Sequence, residues 1–315
     1  MHVENNVLFR QLASSSTATH SGGGPVDAGR AKKYDGHSWL FEGMFMLRRV
    51  IGVLIAWSFV SLAQAATPST PLVVGETFTI ESKVLGELRR INVYVPPGSS
   101  DARLPVLYMP DGGIAEDFLH IAGLLQVSVG NDTVRPFVLV GIENTERRRD
   151  LTGPTQNDED KKIAPRVGGS SAFREFIRKE LMPEIAARYR VTQESAIVGE
   201  SLAGLFVLET FLLDRDLFDI YIAVDPSVWW NDARLVHNAG DSLLRRASGA
   251  KSLYFVSSEE KETAAILEQF AATLRANSTG ISWHYEPMPT EKHSTIFHPA
   301  ALKAFRAMLS SAKRE

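Results

Sequence analysis

Residues 197–206 read IVGESLAGLF. A β-rich run, SAIVG (195–199), stops at a glycine, and helical spacing begins after Ser201, so the hydroxyl stands at a sharp strand-to-helix turn. Such a turn pushes the side chain out over the sheet edge and points the helix N-terminus and the next backbone N–H at any negative charge that develops there. It also brings strand and helix backbones together, which requires small residues, and Gly199 and Gly204 supply them. The usual five-residue elbow is GxSxG; here its fifth residue is Ala203, with glycine one place later. A helix N-cap serine after a glycine turn would leave the same local pattern, so the flanking segments decide.

Those segments alternate. TFTIESK (77–83) and RRINVYV (89–95) read as half-exposed antiparallel strands, the second ended by Pro96-Pro97-Gly98. LPVLYM (104–109) and PFVLVGI (136–142) are apolar runs suited to strands covered on both faces, and AEDFLHIAGLLQ between them has helical spacing. Ser171 is placed to cap the next helix, whose Phe173, Phe176, Ile177, Leu181 and Ile185 fall on one side. After Ser201 come YIAVD (221–225), SLYFVS (252–257), a helix around Leu267 and Phe270, ISWHYEPM (281–288) and a last helix from about Ala300. Parallel strands need a crossover, usually helical, to return the chain. The order therefore predicts an α/β protein with the α/β-hydrolase plan: an eight-stranded, mostly parallel sheet, two antiparallel N-terminal strands and helices on both faces. Chemistry is expected at the carboxyl ends of the strands.

The chain has 315 residues, 44% apolar, and no cysteine. A thiolate nucleophile, a disulfide framework and a Cys-ligated metal are excluded. A net charge of −3 gives no basic footprint for nucleic acid. The eight histidines are scattered without metal-ligand spacing, so neither metal nor cofactor is expected. Residues 46–66, MLRRVIGVLIAWSFVSLAQAA, have the form of a signal peptide with Ala63-Gln64-Ala65 as its cleavage site, although they lie far from Met1. The apolar run Val50–Leu62 is short for a membrane span. The expected organisation is a disordered or untranslated stretch (1–45), a signal peptide (46–65) and one domain (66–315). The mature protein is then periplasmic or secreted, without a stable membrane anchor.

A serine hydroxyl needs a base in reach and a carboxylate to orient that base, and elbow hydrolases carry them in the order Ser, acid, His. His293, in the loop PTEKHSTIF after the last strand, is the favoured base; His298, at the start of the final helix, is the alternative, and His284 lies within the strand. The acid is expected after the seventh strand, where SLYFVSSEEKE offers Glu259, Glu260 and Glu262, with Glu260 favoured and Glu259 next. Asp225, ending the sixth strand in AVDPSVWW, competes, and a dyad without an acid stays open. Two N–H groups are needed to hold an oxyanion. Leu202 follows the serine, and Gly113 in YMPDGG ends the third strand. Arg149, beside Arg147, Arg148 and Asp150, is either a contact for an anionic substrate or part of a solvated loop; Trp229 and Trp230 are either pocket walls or core.

With these residues in place, the chain resembles the esterase family of α/β-hydrolases that contains siderophore (enterochelin-type) esterases, S-formylglutathione hydrolase and the mycolyltransferases. The likeness runs from about Phe78 to Leu309. It is carried in order by LRRINVYVPPG, LPVLYMPDGG, VGIENTERRRDLTGP, FREFIRKELMPEIAARYRV, IVGESLAGLF, DPSVWWN and EKHSTIF. The resemblance implies Ser201 as nucleophile, His293 as base, a carboxylate after strand seven as acid, and the Leu202 and Gly113 N–H groups as the oxyanion hole. Ala203 in place of glycine, and Asp225 where relatives often have serine, depart from the family pattern. The expected function is exported hydrolysis of a small-molecule ester, a siderophore lactone being one choice. An acyltransferase using the same serine, or an inactive binding protein on the same fold, are the alternatives.

Overall fold

The computed structural model describes residues 69–99, 101–244, 248–277 and 280–311. The expected leader at 46–65 and the stretch 1–45 lie outside the described residues. The chain divides after Pro71, and the fold below is that of the second unit.

Eight strands form one sheet: β1 (Glu76–Ser82), β2 (Glu87–Tyr94), β3 (Leu104–Pro110), β4 (Val138–Ile142), β5 (Val191–Glu200), β6 (Ile220–Val224), β7 (Lys251–Ser257) and β8 (Ile281–Pro287). Their spatial order is β1-β2-β4-β3-β5-β6-β7-β8. β1 and β2 pair antiparallel, β2 meets β4 antiparallel, and every later pairing is parallel. This is the expected α/β-hydrolase plan. All of the residues of β3, β4, β6 and β7 are buried, which accounts for their unbroken apolar runs.

Neighbouring residues on a strand serve opposite cores, as the two-residue period demands. Tyr108, Ile197 and Tyr221 pack into one; Leu107, Val198 and Ile222 pack into the other. The first core is covered by a long helix α3 (Ser170–Phe176, Ile177–Leu181 and Met182–Arg188), by α4 (Leu202–Leu213) and by α5 (Lys261–Asn277). The second is covered by α1 (Phe118–Gly130) and α6 (Phe297–Met308). A short helix, α2 (Arg147–Leu151), follows β4 at the carboxyl edge.

The face of α3 is as expected, with Phe173, Phe176, Ile177, Leu181 and Ile185 all buried. Ser171 is not its cap. The helix starts at Ser170 with Gly169 before it, and Gly169 N–H reaches the Arg149 carbonyl at 2.7 Å, an approach a Cβ would obstruct. The middle of α3 widens to a π turn in which Met182 N–H bonds Ile177 O, five residues back. Pro183 follows directly. Its ring lacks an N–H and would crowd the carbonyl four residues earlier, and the wider turn makes room for it.

Arg89 of β2 is fully buried. Its Nη1 donates to Asp150 (2.5 Å), Thr145 (2.7 Å) and Glu87 (2.9 Å), and Nη2 donates to the Glu143 carbonyl at 3.0 Å. The guanidinium also stands over Phe173, 5.1 Å from the ring centroid. One cation thus clamps β2, the exit of β4, α2 and α3. Removing it strands a buried carboxylate, although Arg149 still bonds Asp150. Arg89→Met should therefore lower the unfolding free energy by about 3 kcal/mol, read as a lower urea midpoint at unchanged slope.

Candidate active site

The turn at Ser201 is strained. Its φ of 59° and ψ of −121° are unusual for a residue with a side chain, and it leads directly into α4. The turn is pinned from both sides: Ser201 N–H donates to Val224 O at 3.1 Å, and Ser201 O accepts from Leu205 N–H (2.9 Å) and Ser227 N–H (3.0 Å). A Cβ on Gly199 would lie 2.6 Å from the Ala203 backbone, and one on Gly204 would lie 3.0 Å from Val224 O. Strand and helix meet here without room for a side chain on either glycine. Ala203 is fully buried and its methyl fits because Gly199 has none.

β5 and β6 run parallel with Glu200 opposite Val224, so Ser201 and Asp225 leave neighbouring strands side by side. Asp225 is buried, with φ 41° in the left-handed region that Asp tolerates better than most residues. Its Oδ1 accepts from Ser258 N–H at 2.8 Å, and its Oδ2 lies 2.6 Å from His293 Nδ1. His293 stands in the loop after β8, as expected. The hydrogen bond to Asp225, aided by the charge of Glu200, raises the His293 pKa against the opposing effect of burial.

The expectation of Glu260 as the carboxylate beside the ring is corrected. Glu259 and Glu260 are exposed, and Glu260 opens α5 by accepting from Ala264 N–H. What the turn after β7 supplies to the site is the Ser258 N–H that orients Asp225. His298 is the second residue of α6 and bonds His120 at 2.9 Å, not the elbow.

Ser201 Oγ has Ser227 Oγ at 3.4 Å as its hydrogen-bond neighbour among the described residues. His293 Nε2, the nitrogen on the side away from Asp225, faces Glu200 Oε1 at 3.8 Å. Glu200 and Ser227 were not singled out from the sequence. The signal for the first was a carboxylate inside the elbow itself, in GESLAG.

Leu202 occupies the first position of α4, where a backbone N–H has no carbonyl one turn earlier to bond. Gly113 N–H points to a carboxylate: Glu116 Oε2 accepts it at 2.7 Å, while Glu116 Oε1 accepts from Asn144 at 2.9 Å. Beside Gly113 a cleft of about 760 Å³ opens along the β1–β2 edge, walled on its apolar side by Val73, Val74, Ile114, Phe118 and Leu119.

The arginines after β4 are paired within the chain. Arg147 forks onto Asp111 through two 2.7 Å bonds. Arg149 turns inward to Glu87 (2.7 and 3.0 Å) and Asp150 (2.6 Å), so it is a structural ion pair and not the substrate contact considered from the sequence. Hydrogen bonding from Arg149 holds the Glu87 carboxyl down at about 2. Trp230 is core, its indole N–H bonded to Gly153 O at 2.9 Å, whereas Trp229 is exposed.

With this geometry in view, comparison with known proteins is decisive on kinship. The family described as "Putative esterase" matches residues 82–304. The chain belongs to that esterase family. It is 34% identical over 165 residues to the ferri-bacillibactin esterase BesA of Bacillus subtilis, a match covering 46% of this chain and 56% of the relative. It is 32% identical over 193 residues to the siderophore triacetylfusarinine C esterase of Aspergillus fumigatus, covering 54% of this chain and 61% of the relative. The matched part thus spans little more than half the length of these curated relatives. Among solved structures, an IroE-like serine hydrolase from Shewanella oneidensis superposes with a TM-score of 0.67 at 25% identity, covering 75% of this chain and 80% of the other.

The hydrogen bond to Asp225 gives this family member a measurable signature. The imidazole should keep its proton above the ordinary histidine value of about 6.5, so the neutral form appears only at higher pH. Proton NMR should show a far-downfield Nδ1–H signal that Asp225→Asn removes and Glu260→Gln keeps.

Proposed function

We propose that the protein is an exported serine carboxylic-ester hydrolase that works through an acyl-enzyme. The observation that carries the reading is the 2.6 Å contact between His293 and the buried Asp225 beside the elbow serine. Asp225 fixes the tautomer with the proton on Nδ1, which leaves Nε2 to accept the Ser201 proton. Ser201 Oγ then bonds the ester carbonyl carbon, and the carbonyl electron pair moves onto oxygen. The Leu202 and Gly113 N–H groups hold that oxyanion. Collapse expels the alcohol, which takes the proton from His293. Water, deprotonated by the same ring, repeats the sequence and releases the acid.

The Glu116 carboxylate on Gly113 N–H supports the oxyanion assignment, because it is a negatively charged oxygen held by that donor. Glu116 is half-exposed, so an incoming carbonyl oxygen can displace its carboxylate toward solvent. The cleft receives an apolar part of the ester, since it is lined by Gly113 together with the apolar side chains of Ile114 and Leu119. The relatives named for siderophore esters make a siderophore lactone the substrate class to test first. Export rests on the leader-like sequence at 46–65.

Labelling by a fluorophosphonate should be stoichiometric and absent in Ser201→Ala. On p-nitrophenyl esters and a cyclic siderophore lactone, Asp225→Asn should lower kcat by roughly 10⁴-fold, with Glu260→Gln within about threefold of the parent, as expected of an exposed carboxylate. Well-folded protein that neither labels nor hydrolyses any of these esters would sink the reading. In the same assay, Leu119→Asp should cost about tenfold in kcat/KM for a hexanoyl ester relative to acetyl, the size of losing one or two buried methylenes.

A further inference from the structure

Glu200 is the one carboxylate at the elbow with no assigned task. It ends β5 directly before Ser201, and its side chain is 19% exposed. Three elements face it. Arg147 comes from α2, but its Nε and Nη2 are engaged by Asp111. Asp111 and Asp117 flank it from the turn between β3 and α1, and His293 faces it from the loop after β8, with Nε2 at 3.8 Å. The ring in turn is faced by Asp225 on Nδ1 and, more distantly, by the Glu260 charge. The imidazole is therefore bracketed by two carboxylates, one on each nitrogen.

We propose that Glu200 is a positioning residue for the hydrolytic reaction, holding the Nε2 edge of His293 toward the elbow and stabilising the imidazolium that forms when Ser201 gives up its proton. The inference rests on the serine-hydrolase reading. Asp225 already supplies tautomer and orientation at Nδ1, so the distinct contribution of Glu200 is charge at the nitrogen that gains the proton. The contact at 3.8 Å is too long for a hydrogen bond and short enough for strong Coulomb attraction between partly buried charges. Burial and the neighbouring Asp117 and Asp111 push the Glu200 carboxyl up to about 7, against the pull of His293 and Arg147. The 3.8 Å separation couples the protonation of Glu200 to that of the ring, each charge favouring the other. An ionised Glu200 favours imidazolium, and so moves the acidic limb of kcat/KM to higher pH.

The test uses the full chain carrying Glu200→Gln, which keeps the shape and removes the charge. His293 is titrated by NMR in Ser201→Ala and in Ser201→Ala/Glu200→Gln, and pH–rate profiles on p-nitrophenyl acetate are compared for parent and Glu200→Gln. The imidazole pKa and the acidic limb should both fall by about one unit, and plateau kcat should drop about tenfold with KM little changed. Glu200→Asp, which restores a charge at longer range, should give shifts of intermediate size, and it serves alone if the glutamine variant does not fold. An unchanged imidazole pKa together with superimposable profiles would overturn the proposal. The two readings fail separately: without labelling or turnover in the parent the hydrolase reading falls, while the NMR titration still reports whether Glu200 couples to the ring.

Discussion

The bond from Ser201 N–H to Val224 O, 3.1 Å long, is the constraint on which the site depends. It ties the strained turn after β5 to the last residue of β6, so the side chains of residues 201 and 225 emerge next to each other. Parallel pairing of the two strands makes that bond available, and the close approach at Gly199 and Gly204 lets α4 start without pushing the strands apart. From there the loop after β8 has only to reach across β7 to present His293. Ser258, at the end of β7, adds the N–H that keeps the Asp225 carboxylate turned toward the ring.

Much of this was legible in the residues. Strands covered on both faces, such as LPVLYM and YIAVD, declare themselves by unbroken apolar runs, and Gly-x-Ser at the end of SAIVG marks the turn. His293 could be placed because a loop after the last parallel strand lies at the carboxyl edge whatever its sequence. The carboxylate beside the His293 ring could not be fixed in that way. Asp225 and Glu260 follow adjacent strands and both leave at the same edge, and only the backbone bond from Ser258 and the direction of the Asp225 side chain separate them. One hint was present: Asp225 is a lone charge continuing the wholly apolar run IYIAV, where an unpartnered carboxylate would be costly to bury.

The arginines teach the same lesson from the other side. RRRD looks like a basic surface in one dimension, but folding brings Asp111 and Glu87 against it from two separate segments, while Asp150, within the run itself, bonds Arg149 in the interior. Charge counted along a chain says little about charge presented to solvent when the partners lie tens of residues away. Trp229 and Trp230 diverge for a related reason: adjacent residues in a tight loop point in different directions, and only Trp230 finds a carbonyl for its indole in the interior.

The bond from Gly113 to Glu116 has a thermodynamic consequence. A backbone donor waiting for a charge that exists only during a reaction is ordinarily a liability, since a desolvated N–H without an acceptor costs on the order of 1–3 kcal/mol. Here a glutamate three residues further on accepts the Gly113 N–H. Under the proposed hydrolase reading, the chain keeps a reactive seat assembled at little cost to its own folding, trading one oxygen for another whenever a guest comes.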